Sequence, residues 1–365
     1  MDINECFGHD YLGARARFLA VCREKGRTTE TCLHPLSASA DVELACDVTY
    51  IGEQDADKLL ILSSGLHGPE LMCGSGCQTG LIMEDRFADM PGDSGVLFIH
   101  ALNPWGAHHL RRNTEDNIDL ARNFVDFSKP LPVNPDYERI HHLFSEATYP
   151  RFCNTLSGYM SDEGNQEFVD ALMRGQYAYP EGFGYGGNAA TWSNELFCRL
   201  LLKYGGNARK VCHVDYHSGL GPYGYGMAVC MHTGERLRAA REIFGRWLVA
   251  PRERARDPER QQHPASGHPS DGLLALLADG KPGNDREIVS IVLEFGTSDA
   301  PDVNLRALVD DHWLTYHGDM HSELGKDIKS RMLESHFPDD PEWRASVWLR
   351  SEQVIRQALA GLIDK

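Results

Sequence analysis

The sequence predicts an α/β fold, a mixed and mainly parallel sheet with helices on both faces. Apolar strand-like runs alternate with helical patterns along the chain. Residues 59–62 and 291–293 are unbroken apolar runs, as strands buried on both faces require. No internal repeat interrupts this order.

The elements follow in chain order. Val42, Leu44, Cys46, Val48 and Tyr50 alternate with other residues, which predicts an edge or half-exposed strand over 42–50. Strands follow at 59–63, 96–101, 211–216, 227–231 and 288–295. Helical patterns cover 70–85, 162–174, 192–203, 235–248, 303–316, 320–334 and 342–363. Pro69 and Pro341 stand where the first turns of two of these helices begin, a position that suits a residue without an N–H. Residues 129–135 (KPLPVNP) and 251–271 read as long loops, within insertions near 125–190 and 250–285. Neither has the composition of a flexible interdomain linker, so one domain over 1–365 is expected.

Composition narrows the function. The chain has 365 residues, 42% hydrophobic and 24% charged, enough for a large core. Its net charge of −17 argues against nucleic acid or an anionic membrane as partner. No apolar run approaches the roughly 20 residues of a membrane span. The first residues lack the basic-then-apolar pattern of a secretion signal. The ten cysteines are scattered without a C-x-x-C pair. That predicts a reducing, cytoplasmic setting and no structural zinc of the paired-cysteine kind. Cys73 and Cys77 fall in an apolar helical pattern and read as core thiols.

The first chemical constellation is His67-Gly68-Pro69-Glu70. It joins the end of the strand KLLILSSGL to a helix start, where open α/β sheets place their sites. An imidazole and a carboxylate three residues apart across such a turn can converge on one ion. Chance also produces H-x-x-E, and the chain holds a second copy at His232-Thr233-Gly234-Glu235. A third ligand is available in HVDYHSG, where His213, Asp215 and His217 share one strand face. His217, at the strand end, is the better ligand. His213 reads as part of a hydrogen-bonded core triad, and Asp215 as a supporting group.

Arg112 and Arg122 flank an acidic stretch in RRNTEDNIDLARNF. Arginine suits carboxylate recognition and a developing oxyanion, although a salt-bridged surface loop has the same composition. Glu294 ends the apolar strand IVSIVLEFGT. A carboxylate there is either a base beside a metal-activated water or a paired structural group. Gly219-Leu220-Gly221-Pro222-Tyr223-Gly224 fits a dinucleotide fingerprint in letters only, since Pro222 interrupts it and a strand follows. Neither G-x-S-x-G nor H-E-x-x-H occurs.

In order, these segments resemble the zinc carboxypeptidases of the M14 type. The matching motifs are His67–Glu70, Asn103-Pro104-Trp105-Gly106, Arg112, Asp119-Leu120-Ala121-Arg122-Asn123-Phe124, His217 and Glu294. The chain looks most like the DUF2817 branch of that clan. It shares QYAYPEGFGYGG (176–187), DYHSGLGPYG (215–224) and LEFGT (293–297) with that branch. The resemblance implies an eight-stranded mixed sheet with helices on both faces. It implies one Zn²⁺ held by His67, Glu70 and His217, with Glu294 activating water and Arg112 stabilising the oxyanion. Arg122 and Asn123 would contact the substrate, a small molecule or short peptide.

Two departures bear on the substrate. Ala121 stands where the family has asparagine, so half of a carboxylate clamp is missing. No tyrosine occurs between Met227 and Glu294, where the carboxypeptidases carry one; His263 and His268 lie in that stretch. Both changes favour hydrolysis of an amide in an acyl-amino acid or small peptide, as in the aspartoacylase-like deacylases. Carboxypeptidase activity is one alternative. A non-catalytic metal-binding protein of the same fold is another.

Overall fold

The computed structural model describes residues 2–53, 55–160, 165–254, 267–278, 286–300 and 302–363. Seven strands form one sheet: β1 (Thr29–Leu33), β2 (Ala45–Gly52), β3 (Lys58–Ser64), β4 (Ser94–His100), β5 (Lys210–Tyr223), β6 (Gly226–Val229) and β7 (Glu287–Gly296). Their spatial order is β1-β2-β4-β3-β5-β7-β6. The four central strands β4, β3, β5 and β7 are mutually parallel, and β2, β1 and β6 pair antiparallel at the flanks. The described residues therefore hold seven strands, not the eight that the resemblance implied.

Side-chain alternation covers both faces. Leu60, Leu62, Phe98 and Val214 pack in one core with the helices Tyr11–Glu24, Leu71–Met83, Gly234–Phe244 and Pro341–Ile363. Leu59, Ile61, Leu97 and Val211 pack in a second core with Trp192–Gly205 and Pro269–Leu277. Both faces are covered by helices, which is why residues 59–62 and 291–293 read as continuous apolar runs. Cys73 and Cys77 are buried in the first core, as their pattern suggested. A third cluster joins helices Pro135–Ile140, Tyr149–Tyr159 and Asn165–Met173 to Asp302–His317 and Glu323–Glu334. Within the insertion near 125–190 the loop expected at 129–135 is present up to residue 134, and the helix expected at 162–174 is found at Asn165–Met173, joined by further helices not expected from the sequence. No helix among the described residues is long and apolar enough to cross a membrane.

The second strand departs from expectation. Residues 42–50 alternate like an edge, yet β2 lies between β1 and β4 and is almost wholly buried. Its polar face is covered because its polar groups are paired. Arg15, on the helix over that face, donates from Nε to Asp47 Oδ2 at 2.6 Å, and Thr31 donates to Asp47 Oδ1 at 2.7 Å. The true edge is the short β1, three of whose five residues are polar. Asp47 is fully buried, so Asp47→Leu leaves Arg15 with only the exposed Glu43 carboxylate as its ion-pair partner. Losing a buried charge-assisted hydrogen bond of this kind should cost about 1.5–3 kcal/mol. The check is a lower urea midpoint, with unchanged stability as the contrary result.

The connections diverge at the centre of the sheet. From β3 the chain crosses to β4 on one side, whereas β5 lies on the other. The carboxyl ends of β3 and β5 therefore border a crevice at a topological switch point, the usual place for a ligand in an open α/β sheet.

Candidate metal centre

Three chain segments meet in that crevice. β3 ends at Ser64, and a short 3₁₀ turn, Gly68–Glu70, leads into the helix Leu71–Met83. The turn is pressed against the helix Pro104–His108: a Cβ on Gly68 would stand 2.0 Å from the Gly106 carbonyl carbon. Asn103 caps that helix, its Oδ1 accepting from Gly106 N at 2.9 Å, and this accounts for the N-P-W-G motif. His67 and Glu70 are consequently held on opposite ends of one tight turn.

The ligand atoms of His67, Glu70 and His217 lie within 4.8 Å of one another, and all three residues are buried. His67 Nδ1 is 2.9 Å from Glu70 Oε1, and His217 Nδ1 is 2.9 Å from Glu70 Oε2. Each imidazole turns its other nitrogen to a carboxylate. His67 Nε2 is 3.2 Å from Asp119 Oδ1, and His217 Nε2 is 2.8 Å from Asp215 Oδ2. Imidazoles that bind a metal through one nitrogen and a carboxylate through the other show this arrangement. The residues present therefore fit a divalent ion. Asp119 is the partner that sequence reasoning missed, although it opens the D-L-A-R-N-F motif. The second H-x-x-E pair does not form a site: His232 is buried, with Nε2 accepting from Ser290 N at 3.0 Å, while Glu235 is exposed.

The charges are strongly coupled. Burial by itself raises the Glu70 carboxyl, but the His67 and His217 imidazoles outweigh it and hold it well below the carboxylate range. Burial likewise lowers the His217 imidazole, but the Asp215 and Glu70 carboxylates raise it well above its ordinary value. The Glu70 and Asp215 carboxylates thus face the His217 imidazole at its two nitrogens.

Glu294 sits across the β5–β7 ladder, in register with His217. Its Oε1 accepts from Leu220 N at 3.2 Å. Burial first, and the Glu70 charge second, push its carboxyl up to about 7. Arg112 reaches the same crevice, with Nη1 3.6 Å from Glu70 Oε1 and Nε 3.3 Å from Asp119 Oδ2. Its neighbour Arg111 pairs with Asp311, and Lys329 donates to the carbonyls of His109 and Leu110. These bonds tie the loop carrying Arg112 to two helices of the third cluster.

Two expected substrate contacts are turned elsewhere. The Asn123 amide donates to Gly186 O and Ala189 O at 2.9 Å each, and its Oδ1 accepts from Thr191 N at 2.9 Å. It clamps the 186–191 segment instead of facing a ligand. Arg122 donates from Nη1 to Ala121 O at 2.6 Å and from Nη2 to Met173 O. Its Nε has no partner, and it forms no ion pair among the described residues. His268 is buried and caps the helix Pro269–Leu277 by accepting from Ser270 N at 3.2 Å. His263 lies outside the described residues.

The geometry defines a class first: an α/β protein whose mixed sheet carries, at its strand ends, a His-Glu-His group able to hold a metal ion. The chain belongs to the family described as "Protein of unknown function (DUF2817)", which matches residues 7–350. None of the curated proteins matches it. Among solved structures it is similar to carboxypeptidase A from Helicoverpa armigera, at 12% identity over 98% of this chain and 74% of that one, with a TM-score of 0.47. It is also similar to bovine thrombin-activatable fibrinolysis inhibitor, solved in complex with tick carboxypeptidase inhibitor, at 11% identity over 96% and 98%, with a TM-score of 0.44. A third similarity is to the ectoine utilization protein EutE (DoeB) from Ruegeria pomeroyi, at 14% identity over 80% and 67%, with a TM-score of 0.37.

Proposed function

We propose that the protein is a zinc-dependent hydrolase that cleaves the C–N amide bond of an acyl-amino acid or short peptide. One observation carries this reading. The three ligand atoms of His67, Glu70 and His217 converge, with a buried carboxylate, Glu294, in register with His217 on the next strand. Zinc held by these residues supplies a Lewis acid and a water acidified to near neutrality.

The chain's own residues do the rest. Glu294, with its carboxyl near 7, takes a proton from the attacking water and returns it to the departing amine nitrogen. The Leu220 N–H steadies one Glu294 oxygen while the other is free to move the proton. Arg112 offers guanidinium N–H groups to the oxygen on which negative charge grows. Asp119 and Asp215 hold the two imidazoles in orientation and keep the Nδ1 atoms directed inward. Arg112→Ala should lower kcat by about 10²–10³ and change KM much less, because the charge it meets is absent in the ground state. A variant whose loss is all in KM contradicts that role.

Removal of C-terminal residues from peptides is the second reading, and Arg122 favours it. A buried guanidinium without an ion pair gains a partner from a substrate carboxylate. Two features favour the first reading. Ala121 supplies no amide donor, and the Arg122 Nη atoms already donate to main-chain carbonyls. The test is a panel of acyl-amino acids and matched dipeptides, offered to zinc-loaded and chelator-treated protein. Chelator-sensitive hydrolysis of the acyl-amino acids supports the first reading, and hydrolysis of the dipeptides alone supports the second. Inactivity on every amide leaves only a binding role for the site.

A further inference from the structure

The centre of the sheet contains a row of polar groups of which only Asp215 touches a candidate ligand. Ser63 on β3, His213 and Asp215 on β5, and Ser290 on β7 are each at most 2% exposed. They share the face of the sheet that bears Leu59, Ile61 and Val211, where an aliphatic side chain would pack without any need for partners. Buried polar groups of this kind cost stability unless every one is satisfied. Here they satisfy one another, and the row ends on the carboxylate bonded to His217.

We propose that His213 is a positioning residue for the metal centre, acting on His217 through a one-directional hydrogen-bond chain across three strands. The inference rests on the reading of His67, Glu70 and His217 as metal ligands. Its direction follows from what each group can donate. The Asp215 carboxylate only accepts, so Ser63 Oγ donates its single proton to Asp215 Oδ1 at 2.6 Å. Ser63 Oγ then accepts from His213 Nε2 at 2.7 Å. Burial lowers the His213 imidazole from its ordinary value and keeps it neutral, so its Nδ1 is an acceptor. Ser290 Oγ donates to that Nδ1 at 3.0 Å. On the far side of Asp215, His217 Nε2 donates to Oδ2 at 2.8 Å.

Two donors therefore converge on Asp215 from opposite sides. Ser63, oriented by His213, fixes the carboxylate's rotation, and the carboxylate fixes the tautomer and ring plane of His217. His217 Nδ1 is left with its lone pair toward Glu70, 2.9 Å away. The Phe197 ring lies 5.6 Å from the His213 ring and limits its rotation. His213 itself touches none of the three ligands; its effect passes through Ser63 and Asp215.

The experiment measures apparent Zn²⁺ affinity by competition with a chelator, alongside the thermal stability of the metal-free proteins. Ser63→Ala and His213→Leu should each weaken zinc binding about 10–100-fold, the usual effect of losing a group that orients a metal ligand. Ser63→Thr keeps the hydroxyl and should restore affinity close to wild type. Ser290→Ala deletes only the outermost hydroxyl, spares the core volume and should weaken zinc by a smaller factor. A purely structural row predicts lower metal-free stability with unchanged zinc affinity, and that result overturns the inference. Imidazole ¹⁵N–¹H spectra test the direction in wild-type protein without any substitution. The Nε2–H tautomer at His213 is expected, and the Nδ1–H tautomer overturns it. Wild-type protein that takes up no zinc overturns the metal reading and the inference together. Wild-type binding matched by the variants overturns the chain alone.

Discussion

Glu294→Gln should retain zinc and fold normally while losing turnover by about 10²–10⁴-fold, the contribution of a positioned general base. The substitution is nearly isosteric. The glutamine carbonyl oxygen can still accept from Leu220 N, so the link between β5 and β7 remains. Its amide does not take up a proton, and the transfer from water to the amine has no carrier. Removing a carboxylate beside Glu70 also relieves a like-charge contact that helps raise the Glu294 carboxyl, so stability should not fall. Activity and zinc content measured on the same preparation separate the outcomes. Normal zinc with near-wild-type kcat removes Glu294 from the reaction.

His67→Ala should empty the metal centre. Two protein ligands remain, and a zinc site that keeps an open position for chemistry normally needs three. The change also frees Asp119 from its imidazole, leaving that carboxylate to Arg112 and the Ala121 N–H. With a ligand missing, added zinc should restore little activity. Folding should survive, since His67 lies at the strand end, outside the three apolar clusters. Metal analysis after dialysis is the check. Full occupancy in this variant, together with loss of zinc in His232→Ala, would place the ion at the other H-x-x-E pair.

The sequence made the centre of the sheet legible because β3 and β7, buried on both faces, carry the unbroken apolar runs 59–62 and 291–293. It was misleading at β2, where the polar residues of an alternating run are buried too. Only the position of Arg15, thirty-two residues earlier, shows why. β1 was missed since five residues with three polar ones carry no strand signal. The helical pattern over 235–248 outruns the helix itself, which stops at Phe244 because Gly245 takes a left-handed φ of +92°.

Within the site, His67 and Glu70 could be placed because they follow β3, whereas His217 lies inside the longer β5, one residue past the point where its pairing with β3 stops, and Glu294 lies inside β7 beside it. Asp119 could not be found this way. It comes from a loop fifty-two residues beyond His67, and its pairing depends on how that loop folds back. Nor does the sequence reveal that Arg122 donates to carbonyls, or that the Asn123 amide is fully used by the 186–191 segment. The spacing of His213, Asp215 and His217 gave the shared face, but the role of Ser63 and Ser290 required the register of three strands.

Anomalous X-ray scattering at the zinc edge tests the central claim most directly, using crystals of protein purified without chelator. One peak is expected about 2.0–2.2 Å from His67 Nδ1, His217 Nδ1 and a Glu70 carboxylate oxygen. A peak at another cluster, or zinc-loaded protein with no density between these three side chains, would contradict the claim.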